Sequence, residues 1–371
     1  MKLSLLLILM VAVAGQTAAR GADAWPVLWN GYVSRFMDDQ VRVIDHDADD
    51  RTTSEAQAYA MFFALVANDR PRFDGLLGWT ERNLASGDLQ LNLPAWLWGR
   101  GSQNQWGVLD SNSASDADVW MAYTLLEAGR AWNESRYTSL GRALAGLIAA
   151  NETAELSNFG TVLLPGAKGF RQGEAYRLNA SYLPLQPIVR LAQLEPGGPW
   201  RQMADRIPAL VRESAPNGFA TDWLEYSERE GFKPSAEGSY DAIRVYLWAG
   251  MLDPATPGRD AILNTLSGMA ALVRTNAVPP AKVSAAGRIT DPNGPIGFSA
   301  ALLPYLDALG ERTLEREQIS RLAAAADAGT GLYGIPARYY DQNLALFALG
   351  ARERQFWFDA NGALNTRWNR P

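Results

Sequence analysis

Residues 114–126 of the chain read ASDADVWMAYTLL, in which Asp116 and Asp118 are followed by a long apolar run. The apolar side chains of this run fall on nearly every face of a helix, whereas a surface helix carries them on one stripe. The stretch therefore predicts a helix that is buried on all sides and opened by acidic residues. Two further stretches have the same form, one beginning at Glu55 and the other near Asp241.

Helical periodicity continues through the rest of the chain, in segments separated by Gly, Pro and Asn. Each strongly apolar helix is followed by a more amphipathic one, and this alternation recurs about six times. Two concentric rings of helices satisfy such a pattern, so we predict an all-α protein, an (α/α)6 barrel with minor β elements. The predicted helices cover residues 27–41, 54–67, 71–85, 116–132, 135–150, 181–194, 199–213, 238–251, 258–275, 297–308, 313–326 and 338–350.

Strand signals are few. They predict a strand at residues 161–164 and a C-terminal hairpin that turns near Asn361 and Gly362, after the aromatic run at residues 356–358. No Pro-, Ser- or Gly-rich linker divides the chain. We therefore expect residues 25–371 to form a single catalytic domain.

The first residues have the layout of a cleaved secretory signal. Lys2 is followed by an apolar run over residues 3–14 and then by small residues up to Ala24. The apolar run is shorter than the roughly 20 residues that a membrane-spanning helix needs. We therefore expect residues 1–24 to be removed, and the mature protein to be periplasmic or secreted without membrane insertion.

Composition excludes several kinds of chemistry. Cysteine is absent and His46 is the only histidine, which rules out disulfides, thiolate nucleophiles, His-containing triads and Cys- or His-based metal clusters. The formal net charge is −6 and no Lys/Arg block is present, so we expect no nucleic-acid partner. If the protein is a hydrolase, carboxylates must carry the reaction, and we predict no metal and no other cofactor.

Three acids open the apolar helices: Glu55 in TSEAQ, Asp116 in SASDAD and Asp241 in SYDA. Acids at helix starts are commonly caps or compensate the helix dipole, and this explanation suffices for any one of them alone. As a set they suggest a shared functional site, because the inner helices of such a barrel begin at the same mouth. Burying a carboxyl is also costly, which favours a functional role for each of them. Glycoside hydrolysis requires one protonated and one ionised carboxyl on either side of the sugar linkage.

Tryptophans lie close to these acids in the sequence. Trp96, Trp98 and Trp106 occupy a Gly-containing loop region before the Asp116 helix, where an indole can offer a flat apolar face to a sugar ring. Core packing is the alternative, and for Trp96 both possibilities remain open. Trp120 and Trp248 lie inside predicted helices and are expected in the core.

Residues 114–123 resemble the signature of glycoside hydrolase family 8, which reads A-S/T-D-A/G-D, two free positions, I/M and A. Residues 53–59, TSEAQAY, resemble the family segment that holds the proton donor, although Ala56 stands where many members have Gly. Residues 239–244, SYDAIR, resemble the segment that holds the base in cellulase-type members. The resemblance covers most of the mature chain. It implies an (α/α)6 barrel with an open cleft, an inverting reaction with Glu55 as general acid and Asp241 as general base, and Tyr240 and Arg244 as substrate contacts.

Two weaker matches extend the resemblance. Residues 179–182, NASY, are similar to the family's N-P-S-Y without its proline, and residues 339–341, YYD, are similar to its late tyrosine pair. They imply that Tyr182 and Tyr339 bind substrate, together with Trp96.

Asp116 is similar to an aspartate described in the family either as a nucleophile or as a substrate-binding residue, and inversion needs no nucleophile. A helix N-terminus favours the ionised form of a carboxyl, so a general acid at Glu55 needs a second influence to keep its proton. We expect an ionised Asp116 nearby to raise the pKa of Glu55.

The resemblance implies a β-1,4-glucan polysaccharide as substrate and a role in trimming nascent cellulose at the periplasmic face of a cellulose synthase complex; we expect a monomer. Xylan, chitosan and mixed-linkage glucan are alternative substrates within the family, and the Ser-Tyr-Asp context of Asp241 favours the cellulase type. A non-catalytic polysaccharide-binding subunit of the synthase machinery is the alternative from another class. The presence of both Glu55 and Asp241 speaks against it.

Overall fold

The computed structural model describes residues 23–369, so the predicted signal at residues 1–24 lies almost wholly outside the described part of the chain. Within residues 23–369 no helix is long and apolar enough to cross a membrane. The helices of this part are α1 (Ala24–Phe36), α2 (Ser54–Val66), α3 (Arg70–Asn83), α4 (Ser115–Ala131), α5 (Ser135–Asn151), α6 (Leu185–Leu194), α7 (Trp200–Ser214), α8 (Ala242–Gly250), α9 (Arg259–Thr265), α10 (Gly268–Asn276), α11 (Ile296–Ala308), α12 (Arg312–Ala325) and α13 (Tyr339–Arg352).

Every predicted helix has a counterpart, and the differences have local causes. The predicted helix 181–194 begins instead as a 3-10 turn (Ala180–Tyr182) and resumes as α6, because Pro184 disfavours helical backbone at the residue before it. The predicted helix 258–275 is two helices, α9 and α10. The break falls just before Gly268, a residue with weak helix propensity.

The helices form two concentric rings, as the alternation of apolar and amphipathic segments predicts. Helices α2, α4, α6, α8, α11 and α13 are successive neighbours in the inner ring. The outer ring packs α3 on α2, α5 on α4, α7 on α6, α9 on α8, α12 on α11 and α1 on α13. Aromatic contacts between α2 and α13 close the inner ring.

Burial follows the sequence pattern of the inner helices closely. In α2 every residue except Glu55 is buried, and in α4 burial is continuous from Ser115 to Gly129. Such helices cannot lie at a surface because they lack a polar face. Trp120 and Trp248 lie in the core, as expected. The centre of the barrel is a cluster of aromatic rings contributed by Tyr59, Phe62, Phe63, Trp120, Trp248 and Phe347.

The strands are short and lie in the connections between helices or, for the last two, after α13. They are β1 (Thr52–Thr53), β2 (Leu97–Arg100), β3 (Trp106–Asp110), β4 (Thr153–Leu156), β5 (Gly160–Leu163), β6 (Arg171–Gln172), β7 (Ala175–Leu178), β8 (Leu224–Ser227), β9 (Gly231–Pro234), β10 (Glu237–Gly238), β11 (Lys282–Ser284), β12 (Ile289–Asp291), β13 (Phe356–Phe358) and β14 (Leu364–Thr366). They pair in the orders β1-β2-β3, β4-β5, β6-β7-β8-β9, β10-β11-β12 and β13-β14. The predicted strand at residues 161–164 is β5, and the predicted C-terminal hairpin is β13–β14.

Two of these small sheets hold the segments that lead into inner helices. Strand β1 directly precedes α2 and pairs with β2, so the start of α2 is fixed to the β2–β3 hairpin. Strand β10 pairs with β11 and ends at Gly238, shortly before α8. The sheets therefore fix where the inner helices begin, which is where the acidic residues stand.

The barrel is closed by contacts between the two ends of the described chain. The backbone N–H groups of Ala24 and Trp25, at the start of α1, donate to the carboxylate of Glu353 at 3.1 and 3.0 Å. Within the β13–β14 hairpin, Leu364 N donates to Glu127 of α4 at 3.0 Å, and the Gly362 carbonyl accepts from Tyr123 at 2.9 Å. Residues more than 230 positions apart therefore hold the ring together.

Phe347 packs against five other aromatic rings at centroid distances of 4.7–5.4 Å. We predict that Phe347→Ala lowers the free energy of unfolding by about 3–5 kcal/mol, because it removes a buried ring and leaves a cavity. Denaturant unfolding followed by circular dichroism measures the change. Leu91→Ala is the control, since Leu91 is 72% exposed and its truncation should cost little. A loss below about 1 kcal/mol for Phe347→Ala would mean that the ring closes without this cluster.

Candidate active site

The three acids that open inner helices converge on one guanidinium, that of Arg244 in α8. Its Nη2 lies 2.9 Å from Asp241 Oδ1 and 3.4 Å from Asp116 Oδ2, and its Nη1 forms an ion pair with Glu55 Oε2. The acids are far apart in the sequence, so only the ring of helices brings them together. Glu55, Asp116 and Asp241 therefore occupy one site at one mouth of the barrel.

Exposure divides the site into a floor and a rim. The side chains of Arg244 and Asp116 are 4% exposed, whereas those of Glu55 and Asp241 are 18% and 29% exposed. A ligand that enters from the mouth can therefore reach Glu55 and Asp241, while Arg244 and Asp116 support them from below.

Helix capping does not use up the Glu55 carboxyl. The N-cap residue of α2 is Thr53, whose hydroxyl oxygen accepts from Ala56 N at 3.1 Å. Asp116, in contrast, accepts from the adjacent Ala117 N at 2.8 Å, so part of its charge is satisfied by the start of α4. Because Thr53 supplies the cap of α2, Glu55 is left free to face the mouth.

The environment keeps a proton on Glu55. Burial is the largest cause and raises the pKa of Glu55 to about 7, the Arg244 guanidinium opposes this shift, and the negative charges of Asp116 and Asp241 add to it. A hydrogen bond with Asp116 favours the protonated form of Glu55 further. Asp116 thus acts in the predicted direction, but burial, which the prediction did not weigh for this residue, contributes more.

Charge balance leads to the same result. Three carboxyls surround a single guanidinium, and removing an unpaired negative charge from water is costly. One shared cation cannot compensate three anions, so one carboxyl retains a proton to a higher pH than a free glutamic acid does. Among the three, Glu55 is the one whose hydrogen bond to Asp116 requires that proton.

Arg244 was predicted to contact substrate, and the structure shows it engaged by the protein. Besides the three carboxylates, its Nη2 donates to Ser181 Oγ at 3.0 Å, and its Cζ lies 5.5 Å from the centre of the Tyr182 ring. Ser181 is held in turn by Asn179 Oδ1, which accepts from the Ser181 hydroxyl at 2.7 Å. The NASY segment therefore orients Arg244, and direct substrate contact by Arg244 stays a prediction.

The other predicted contact residues lie around this centre. Tyr182 is half-buried, with its ring 6.4 Å from that of Trp223. Tyr240, beside the predicted base, is 45% exposed. Trp96 is half-buried, and its backbone is held on both sides: its carbonyl accepts from Ser54 N at 3.0 Å and its backbone N–H donates to Asn112 O at 2.7 Å. Each of the three side chains is partly exposed, and their role as substrate contacts stays a prediction.

The late tyrosine pair divides between core and site. Tyr339 is 6% exposed and packs against the rings of Tyr32 and Phe36, so it offers no face to a ligand. Its neighbour Tyr340 is half-buried, and its hydroxyl donates to the Tyr240 carbonyl at 2.6 Å. Tyr340 also lies within the electrostatic influence of Arg244 and Glu55. The resemblance identified the pair and implied Tyr339 as the substrate contact, but the sequence does not show which of two adjacent tyrosines faces the core.

A second pair of carboxyls lies buried behind Asp116. Asp118 and Glu152 are both fully buried, and Glu152 Oε1 accepts from Ser113 Oγ at 2.5 Å. Burial and the neighbouring Glu152 raise the pKa of Asp118 well above its usual range, and burial raises the pKa of Glu152 to about 7. The closeness of the two buried carboxyls favours a proton on Asp118, on the side that faces Glu152. Sequence reasoning missed Glu152, because nothing local marks it as the partner of Asp118.

The fold and the site together define a glycoside hydrolase of the carboxylate-dependent kind, an (α/α)6 barrel whose inner helices present a proton-holding carboxyl beside two others at one mouth. The chain belongs to glycosyl hydrolase family 8, whose family model matches residues 2–354.

Similar proteins cover the chain almost completely. An endoglucanase of Salmonella typhi is 42% identical over 366 residues, which cover 97% of this chain and 96% of the relative. An endoglucanase of Xanthomonas axonopodis pv. citri (strain 306) is 43% identical over 366 residues, covering 98% and 94%. The crystal structure of an endo-1,4-D-glucanase from Vibrio fischeri ES114 is 39% identical, with a TM-score of 0.84 over 92% of this chain and 99% of that one. The predicted family and barrel are thereby confirmed.

We predict that Asp116→Asn moves the alkaline limb of the pH profile of kcat/KM to lower pH. The charge of Asp116 raises the pKa of Glu55, so its removal lets Glu55 lose its proton sooner, although burial keeps the pKa above that of a free glutamic acid. The profile is measured on the residual activity against a soluble glucan. Asp260→Asn is the control, because Asp260 is 83% exposed and lies on α9. An unmoved limb in Asp116→Asn would contradict the assignment.

The Asp118 proton should also appear in the pH dependence of stability. The unfolded chain loses this proton near pH 3.8, whereas the folded chain holds it to a higher pH, so the contribution of Asp118 to the free energy of unfolding falls as the pH rises above about 4. Asp118→Asn keeps a neutral donor beside Glu152 and should flatten this fall between pH 4 and pH 7. Urea unfolding at several pH values measures the slope. An identical slope in wild type and Asp118→Asn would show that the Asp118 carboxyl titrates normally.

Proposed function

We propose that the protein is an endo-β-1,4-glucanase that hydrolyses cellulose-like glucan with inversion. The observation that carries the proposal is the sharing of one buried guanidinium by Glu55 and Asp241, with the raised pKa of Glu55 near neutrality. The relatives that are 42% and 43% identical over nearly the whole chain are both named endoglucanase, which supports the same reaction class here.

In the proposed reaction Glu55 gives its proton to the glycosidic oxygen as the bond to C1 breaks. Asp241 takes a proton from a water molecule whose oxygen attacks C1 from the opposite face, so the configuration at C1 inverts. The site ends with Glu55 ionised and Asp241 protonated, and one proton exchange with solvent restores it. Both groups stand on the more exposed rim of the site, where a sugar chain and a water can reach them.

Arg244 and Asp116 support this cycle from the floor. When Glu55 gives up its proton, the guanidinium that already pairs with it stabilises the new charge. Asp116 favours the protonated form before reaction, because its charge and its hydrogen bond both disfavour ionised Glu55. The pair therefore balances a general acid that must hold a proton and then release it.

Single replacements of the rim carboxyls test the proposal. We predict that Glu55→Gln and Asp241→Asn each lower kcat on carboxymethylcellulose by about 10²–10⁴-fold, because each removes a proton-transfer group and keeps the shape of the side chain. Reducing-sugar release measures the effect, and Glu317→Gln and Asp260→Asn, both exposed, are matched controls. Full activity in either rim variant would remove that residue from its role.

Two further readouts follow the same reaction. Early proton NMR of the products should show the α-anomer, and early β-anomer would rule out inversion. Xylan, chitosan and mixed-linkage glucan are assayed alongside carboxymethylcellulose, and a higher kcat/KM on any of them would reassign the substrate. A wild-type protein that binds glucan without releasing sugar would favour the non-catalytic alternative.

The cellular part of the proposal is export to the periplasm and trimming of nascent cellulose at a synthase complex. It is supported by the charge and hydropathy pattern of residues 1–24 and by the resemblance to family members from cellulose synthesis operons. Both points remain predictions, as does the monomeric state.

A further inference from the structure

Asp241 stands at the N-cap position of α8, yet its carboxylate does not cap that helix. The carboxylate instead pairs with Arg244 at 2.9 Å and is 29% exposed at the mouth. An N-cap side chain ordinarily accepts from the first backbone N–H groups of its own helix, which would turn it away from a ligand. The N–H groups of Ile243 and Arg244 donate to the carbonyls of Ser239 and Asp241 at 3.0 and 3.1 Å, so the N–H of Ala242 is the donor that needs another acceptor.

That acceptor is Asp222, which belongs to a different segment of the chain. Its Oδ1 accepts from Ser239 N at 2.7 Å and from Ala242 N at 2.9 Å, the two N–H groups on either side of Tyr240 and Asp241. One carboxylate oxygen of Asp222 therefore binds both ends of the turn at residues 239–242, which contains the predicted base Asp241.

The segment around Asp222 is fixed by its own backbone. Asp222 N donates to Glu237 O at 3.1 Å, Thr221 N donates to Ser214 O at 3.0 Å, and Ser235 N donates to Trp223 O at 2.8 Å. These backbone hydrogen bonds fix residues 221–223, so the position of the Asp222 carboxylate is set by an ordered backbone. Asp222 also lies close enough to Asp241 for the two charges to interact.

We propose that Asp222 is a positioning residue for the base: it caps α8 in place of Asp241 and so holds the Asp241 carboxylate on Arg244 and at the mouth. The inference rests on the proposed function, because it assigns a partner to the base of that reaction. Without Asp222, the N–H of Ala242 would compete with Arg244 for the adjacent Asp241 carboxylate, as the N–H of Ala117 binds the adjacent Asp116 carboxylate in α4. A displacement of the base by about 1 Å is enough to cost roughly 10²-fold in rate.

Three variants at this position test the proposal. Asp222→Ala removes the acceptor and should lower kcat on carboxymethylcellulose by about 10²-fold while KM changes by less than about two-fold, because a misplaced base affects the chemical step. Asp222→Asn keeps an acceptor oxygen and should retain kcat within about three-fold. Asp222→Ser offers a shorter acceptor and should fall between them, and it provides a measurement if Asp222→Ala does not fold.

Asp69→Ala is the matched control, since the Asp69 side chain caps the outer helix α3 by accepting from Arg72 N at 3.1 Å. It should lower the melting temperature and leave kcat unchanged. If Asp222→Ala behaves like Asp69→Ala, or if Asp222→Asn loses as much kcat as Asp222→Ala, the proposal is overturned. Failure of the proposed function is distinguishable, because wild type would then release no sugar.

Discussion

The site depends on one buried cation. Arg244 is almost fully enclosed, and a buried guanidinium is tolerated only where carboxylates and hydrogen-bond acceptors surround it. Glu55, Asp116 and Asp241 meet that requirement from three different inner helices, with Ser181 as a neutral fourth partner. The three carboxyls neutralise the cation, and their excess negative charge adds to the effect of burial in keeping a proton on Glu55. The same carboxyls therefore stabilise the buried charge of Arg244 and help to raise the pKa of Glu55.

Helix capping is shared out in a way that leaves the reactive carboxyls free. Acids at helix starts commonly act as caps or compensate the helix dipole, and this was the alternative explanation for Glu55 and Asp241. In the structure Thr53 accepts a hydrogen bond from the first turn of α2, and Asp222 accepts one at the start of α8. Neither Glu55 nor Asp241 is therefore needed as a cap. Asp116 differs, since it accepts from Ala117 N and stays on the floor. The position of an acid at a helix start thus says little about its role until the acceptors of that helix are known.

The sequence was informative about whatever is local or periodic. Apolar runs located the inner helices to within a few residues, and three acids at their starts indicated a common mouth. Contacts between residues far apart in the sequence had no such signal. Sequence spacing predicts neither the pairing of Asp118 with Glu152 nor the hydrogen bond that Asp222 accepts at the start of α8. The choice between Tyr339 and Tyr340 depends on which side of α13 faces the core, which adjacent residues cannot reveal. Most of the short strands also escaped prediction, because two to five residues in a connection are too few to show a clear alternating pattern.

The contacts that join the start of α1 to Glu353, and the β13–β14 hairpin to α4, have a temporal consequence. A ring in which α13 packs against α1 and α2 has no finished core until α13 has left the ribosome, and such distant pairings slow folding. Until α13 has been synthesised, the inner helices keep an open seam with apolar flanks. A chaperone that binds unfolded chains thus meets these apolar flanks before any completed barrel can compete with it.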